Sequence, residues 1–385
     1  MVASRFFELI LLASLSLCRC FIIPPQLPTA LRTPPWKELQ AQANQDSNDY
    51  STINVKEDKV ELSTGVVAQV LSYSPSAQKA PQSGFLAQLM SNLEGAKPTK
   101  PRPPLVFIHG SFHAGWCWTE KYFPYFASLG YPVVALSLRG TGGTFAGENV
   151  KKVKITEHAA DIQAFLKKLP SILGDEASKP VLVSHSFGCA VVMKYLEQFP
   201  DEVSSLGGVV KMCPVPPSGN GPMTIRFLRR SLVSSWKIIA GFALKKAITH
   251  PALCRELFFG GDKQVLKDGN VEDYGITDED IARYQGYFLR DTDAIIDVSD
   301  FVKNLPSDKA VEGRAPFLTQ LPPCLVVGAE RDNIVDQEGV DETAFYLGLD
   351  EAVMIDSPHD VMLGRNWQKG ADAIHEWLEM GQVPV

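Results

Sequence analysis

KPVLVSHSFGCAVVMKYLEQF, residues 179–199, reads as an apolar run of strand length, a turn of small residues and a helical repeat. At the centre of the turn is Ser186, with Ser184 two positions before it and Gly188 two positions after it. A serine held on a sharp strand-to-helix turn has strained backbone angles and closely packed neighbours, so both flanking positions must be small. Glycine is the usual first residue of such a turn; Ser184 departs from it but is small enough to fit. The turn delivers the Ser186 hydroxyl to the carboxyl end of a strand, where ligands reach open α/β sheets, and the following helix favours negative charge there. Five residues also fit an ordinary strand-to-helix turn, so the reading depends on partners elsewhere in the chain.

Outward from this segment the same alternation recurs. PLVFIHG (104–110) and YPVVALSLRGTGG (131–143) are apolar runs that end in glycine turns, which suits buried parallel strands. A helix fits Trp118 to Leu129, and Thr156 is a candidate N-cap for EHAADIQAFLKKL. LGGVVKMCPV (206–215) is a further strand; the rhythm stops near Pro214. It resumes at PPCLVVGAERD (322–332) and EAVMIDSPHD (351–360) and closes with a helix over Ala371–Met380. Strands alternating with helices predict a mostly parallel sheet flanked by helices, an α/β fold. Its core spans 56–214 and 319–385, with an inserted helical cap at 215–318. VELSTGVVAQVLSYS (60–74) predicts a first strand, and the Pro- and Lys-rich stretch 76–103 a surface insertion.

The 385 residues are 45% hydrophobic and 21% charged, enough apolar material for a large core. A net charge of −7 gives no reason to expect a nucleic-acid partner. Arg5 followed by the apolar run Phe6–Leu17 has the length of a signal-peptide core, so residues 1–20 are expected to be a targeting segment; a membrane anchor is the alternative. Residues 21–55 lack periodicity and read as transit-like linker. An apolar signal followed by Phe21 resembles the two-part plastid signals of algae with complex plastids, which implies a plastid location; the alternative is the secretory pathway. Beyond Cys18 and Cys20 the five remaining cysteines are scattered, without zinc or dithiol spacing, and an odd number argues against a complete disulfide framework.

A serine hydroxyl is a poor nucleophile at neutral pH and needs a histidine to take its proton and a carboxylate to orient that histidine. Both belong on loops after later strands. GAERD (328–332) follows one such strand and offers Asp332, with Glu330 as runner-up; Glu330 and Asp336 stand nearer to and farther from the strand end than the turn favours. SPHD (357–360) follows the next strand and offers His359 as the base. His158 and His375 fall in helical patterns and read as surface residues; His250 falls in the cap and His185 reads as a packed neighbour. A tetrahedral intermediate also needs two preorganised N–H donors, each worth ~3 kcal/mol. Gly110 allows a sharp turn after its strand, which makes the amides of Ser111 and Phe187 the candidates. His109 reads as a loop-holding residue, and His113 as either a pocket wall or a loop anchor.

The order HG, small-x-Ser-x-Gly, Asp, His, each after an apolar strand, resembles the α/β-hydrolase superfamily over residues 103–382. HGSFHAGWCW (109–118) is locally similar to the plant methylesterase and hydroxynitrile lyase group. The lyases carry a lysine after the catalytic histidine, where this chain has Asp360, and serine at 186 argues against dehalogenase or epoxide hydrolase chemistry. The resemblance implies a serine hydrolase of carboxylic esters that needs no cofactor. The same residues serve a thioesterase or acyltransferase, and a weakly catalytic ligand-binding protein on this fold is a further alternative. No spaced calcium loop or dinucleotide fingerprint is present, and no metal site is expected.

In the cap, residues 223–246 are amphipathic, with Arg226, Arg229, Arg230 and Lys237 on one stripe and Ile225, Leu228, Leu232, Trp236 and Ile239 around the other side. The readings are a packed lid with a solvated basic face, a lining for an apolar ester substrate, or peripheral docking on an anionic membrane.

Overall fold

The computed structural model describes residues 53–74, 102–174, 178–230, 245–261, 264–265, 271–272, 276–292, 294–364 and 366–380. The expected signal peptide, most of the linker, nearly all of the 76–103 insertion, and Leu232, Trp236, Lys237 and Ile239 of the cap stripe lie outside them.

One eight-stranded sheet dominates the described residues. Its strands are β1 (Lys56–Glu61), β2 (Val67–Tyr73), β3 (Leu105–Ile108), β4 (Val133–Leu136), β5 (Val181–His185), β6 (Gly208–Met212), β7 (Cys324–Ala329) and β8 (Val353–Ile355). They lie in the order β1-β2-β4-β3-β5-β6-β7-β8. β1 and β2 pair antiparallel, β2 meets β4 antiparallel, and every other neighbour is parallel. The apolar runs explain the centre: every residue of β3, β4, β5 and β6 is buried, as strands covered on both faces must be. β1, at the edge, keeps the charged pattern KEDKVE, which resists further strand pairing.

Helices α1 (Tyr122–Ser128), α2 (Ile155–Leu166) and α3 (Phe187–Gln198) connect the central strands; α8 (Gln337–Tyr346) and α9 (Trp367–Glu379) follow the last two. α2 packs on α3, and α1 on α9. Between β6 and β7 come α4 (Asn220–Arg230), α5 (Pro251–Phe259), α6 (Asp278–Arg290) and α7 (Val298–Lys303). This inserted segment is not purely helical: Ile295–Ile296 pairs in parallel with Lys152–Val153, and Gln264–Val265 pairs with Val271–Glu272. Asp291, 2% exposed, ties the insertion to the core by accepting from the Gly142 amide at 2.7 Å and the Trp116 indole at 2.9 Å.

Three local expectations change. The single strand over 60–74 is a hairpin, because Ser63, Thr64 and Gly65 (φ 81°) make a turn closed by Leu62 N–H donating to the Val66 carbonyl at 2.8 Å. The helix over 118–129 splits into a turn at Trp116–Thr119 and α1. Pro124 has no N–H to bond back to residue 120, so it is accommodated only within a first turn. α2 begins one residue before Thr156; its first amides are met by Glu157, which accepts from Lys154 at 2.9 Å, and by Asp300, which accepts from Ile155 at 2.9 Å.

Lys211 is fully buried in β6, where its ammonium donates to the Cys189 carbonyl at 3.1 Å. Burial lowers its pKa from 10.5 to about 8. Between pH 8 and 10.5 the unfolded chain holds a proton that the folded chain has released, so the stability of the folded state rises with pH in that window. Below pH 8 the charged side chain costs on the order of 3 kcal/mol. Lys211→Met is therefore expected to stabilise the protein at pH 7 and to lose that advantage toward pH 10.5. Chemical denaturation at the two pH values measures the gap; a pH-independent gap is the contrary outcome.

Candidate active site

Ser186 sits between β5 and α3 with φ 51° and ψ −121°, a left-handed conformation that a residue with a Cβ rarely adopts. Neighbouring strands hold it there. Its N–H donates to the Met212 carbonyl at 2.9 Å, and its own carbonyl accepts from Cys189 at 3.0 Å and Val215 at 3.2 Å. The small flanking residues are required by space. A Cβ on Gly188 would lie 2.4 Å from the His109 carbonyl oxygen, and one on Gly110 would lie 2.9 Å from Ser186 Cβ. Ser184 is tolerated because its hydroxyl donates to the Val210 carbonyl at 3.0 Å within the sheet.

The structure brings Asp332 and His359 to this hydroxyl. His359 Nε2 lies 3.0 Å from Ser186 Oγ, and its Nδ1 lies 2.7 Å from Asp332 Oδ2. The other Asp332 oxygen accepts from the amides of Ile334 at 2.7 Å and Val335 at 2.9 Å, which fixes the carboxylate plane. Ser186, Asp332 and His359 are nearly sealed from solvent. Glu330 is exposed and Asp336 is paired with Arg226 at 2.6 and 2.7 Å; the carboxylate that meets the His359 ring is that of Asp332. With the Nδ1 proton facing the Asp332 carboxylate, Nε2 accepts a hydrogen bond from the Ser186 hydroxyl.

The Ser111 and Phe187 amides lie on the two segments that meet here, the loop after β3 and the first turn of α3. Among the described residues neither amide has an acceptor within the chain, as expected of donors kept for a ligand. His109 anchors this loop: its Nδ1–H donates to the Gly110 carbonyl at 2.8 Å and its Nε2 accepts from the Leu138 amide at 2.9 Å. Burial lowers its pKa to about 4, consistent with that neutral role.

The other histidines partly depart from expectation. His158 is not a surface residue: it is buried near Phe187, with rings 6.4 Å apart, and burial followed by the Arg139 charge lowers its pKa to about 3. The signal was its register, three after Ile155 and four before Ile162 on the apolar stripe of α2. His375 is half-buried on α9. His185 does more than pack: its Nε2–H donates to the His359 carbonyl at 2.9 Å and so braces that residue. His185, Cys213 and His359 place one potential ligand atom each within 4.8 Å of one another. Both His359 nitrogens already face Ser186 and Asp332, and a metal there would displace those contacts.

Aromatic rings close the site on two sides. Phe258 of α5 lies 6.4 Å from the His359 ring and packs on Phe112 and Phe288 at 6.2 and 5.1 Å. Phe187 packs edge-on against Phe301 of α7 at 5.7 Å. Of the basic stripe, Arg226 and Arg230 are paired with Asp336, and Arg230 also with Glu338. The solvated basic face is thus narrower than the sequence pattern implied. The described cysteines Cys117, Cys189, Cys213, Cys254 and Cys324 are free thiols. Among the described residues no helix is long and apolar enough to cross a membrane.

The model of the Alpha/beta hydrolase family matches residues 105–373, which contain the whole site. The chain belongs to the alpha/beta hydrolase family. Among characterised relatives of this alpha/beta hydrolase, Methylesterase 2 of Arabidopsis thaliana is 31% identical over 105 residues, 27% of this chain and 38% of the relative. Methyl jasmonate esterase 1 of Vitis vinifera is 33% identical over 100 residues, 26% of this chain and 35% of the relative. The chain thus spans little more than a third of the length of the relatives it matches. Similar solved structures include an esterase of Thermogutta terrifontis, with 16% identity, 85% of this chain and 99% of that chain covered, and a TM-score of 0.52. A variant of potato epoxide hydrolase matches with 14% identity, 85% and 100% coverage, and a TM-score of 0.54. These two likenesses establish the fold.

Proposed function

We propose that the protein is a serine hydrolase that cleaves carboxylic esters with an apolar acyl or alcohol part. The observation that carries this reading is the unbroken chain from Ser186 Oγ through His359 to Asp332, with contacts of 3.0 and 2.7 Å. In this mechanism His359 Nε2 takes the Ser186 proton as the oxygen attacks the ester carbonyl. The amides of Ser111 and Phe187 receive the negative charge that develops on the carbonyl oxygen. Asp332 stabilises the imidazolium, which then protonates the departing alcohol. Water activated by His359 releases the acid from Ser186.

The aromatic walls from Phe112, Phe258, Phe288, Phe187 and Phe301 support an apolar substrate, and the names of the matched methylesterases support a small alcohol such as methanol. The test is a panel of methyl esters, p-nitrophenyl esters, glycerolipids and acyl thioesters. Methyl esters of apolar acids are expected to give kcat/KM at least about tenfold above esters of anionic acids. Faster turnover of thioesters, or of acyl transfer to an added alcohol over hydrolysis, overturns the assignment.

A further inference from the structure

Two ionisable side chains that the proposed reaction does not use are buried against each other beside the site. His113 is 1% exposed and Asp360 is fully buried, with His113 Nε2 3.0 Å from Asp360 Oδ2. The other ring nitrogen, Nδ1, lies 2.8 Å from the Ser111 carbonyl. A carbonyl can only accept, so Nδ1 carries a proton; Nε2 faces a carboxylate, so the second proton also belongs to the ring. The rings of Trp116, Phe258 and Phe288 stand 5.6, 5.9 and 4.8 Å from the imidazole and keep water away. The Asp360 amide donates to the Phe258 carbonyl at 3.0 Å, which anchors the carboxylate's own backbone.

The pair therefore joins two parts of the site that are far apart in sequence. Ser111 offers the proposed oxyanion amide, and Asp360 directly follows the proposed base, His359. Between Ser111 and His113, Phe112 has φ 66°, a left-handed conformation that phenylalanine does not hold without outside support. We propose that His113 and Asp360 form a charged clasp that holds the Ser111 amide toward the oxyanion by tying its loop to the segment carrying the base. Both are positioning residues, and the assignment rests on the ester-cleaving reading of the site. Burial by itself would lower the His113 pKa, but the Asp360 charge and hydrogen bond carry it above its ordinary value.

The clasp distinguishes three substitutions. His113→Phe keeps a flat ring but removes both bonds, and Asp360→Ala removes the anchor. Each is expected to lower kcat about 30-fold, since a donor displaced by a fraction of an ångström loses most of its worth. KM should stay within about twofold, because the amide is used in the transition state and not in substrate binding. Asp360→Asn is expected to keep kcat within about threefold. Asp360 Oδ1 has no hydrogen-bond partner among the described residues, so the new amide can turn its NH2 to a neutral Nε2 while Nδ1–H still holds Ser111. Wild-type kcat in His113→Phe or Asp360→Ala, a loss expressed in KM alone, or Asp360→Asn as slow as Asp360→Ala overturns the clasp. Nitrogen NMR of the histidine-labelled wild-type chain needs no variant to fold: two ring N–H signals for His113 at neutral pH support the clasp, and one overturns it. If the wild-type chain cleaves no ester, the failure falls on the ester-cleaving reading, and the ring protons still decide the clasp.

Discussion

Ser186→Ala is expected to lower ester turnover about a million-fold while leaving the fold intact. The hydroxyl at 3.0 Å from His359 Nε2 is the only atom group lost. The Ser111 and Phe187 amides and the aromatic walls remain, so residual turnover from oxyanion stabilisation and substrate binding persists above the rate in water. Covalent labelling by a fluorophosphonate probe is expected of the wild type and should vanish in the variant. The strained backbone adds a second readout. At φ 51° and ψ −121° the serine costs about 1–3 kcal/mol that glycine would not. Ser186→Gly should therefore be as inactive as Ser186→Ala and more stable than wild type in thermal unfolding. Retained labelling in either variant would place the nucleophile elsewhere; equal stability of Ser186→Gly and wild type would deny the strain.

Asp332→Asn is the second large effect, about 10⁴-fold in kcat at neutral pH. The reason lies in the two amides of Ile334 and Val335, which both donate to Asp332 Oδ1. An asparagine keeps those bonds only by placing its oxygen there, which turns its NH2 toward His359 Nδ1. The imidazole is then forced into the tautomer with its proton on Nε2, facing Ser186 as a donor when the reaction needs an acceptor. Folding and substrate affinity should change little, because the replacement is isosteric and the bonds to the loop survive. A loss below tenfold would mean that Asp332 does not orient the imidazole.

Much of the site could be read along the chain because each part is a local event. The Ser186 turn is written in the sizes of Ser184 and Gly188, and the close approach of the His109 carbonyl to Gly188 shows why. Asp332 and His359 stand out by their positions after apolar strands, which is a topological cue. Other residues carried no such cue or were read against it. His158 sits on an apolar helical stripe and is buried with it, although a polar residue in a helical pattern reads as surface. The support of His359 by His185 crosses 174 residues, and no local pattern contains it. The hairpin of β1 and β2 was hidden because Val66 and Val67 continue an apolar run through a turn whose only marks are Ser63, Thr64 and Gly65.

By itself, the sequence determined the alternation of strands and helices, the strained turn at Ser186 and the candidates for its two partners. These follow from apolar periodicity and side-chain size, which act over a few residues. Only the tertiary structure decided which carboxylate reaches His359, which arginines of the amphipathic stripe are neutralised, and that His113 and Asp360 are buried face to face. Those outcomes depend on distances between segments more than a hundred residues apart for the arginine and histidine pairs. They are set by how the sheet stacks its strands, and neither composition nor spacing along the chain encodes that order directly.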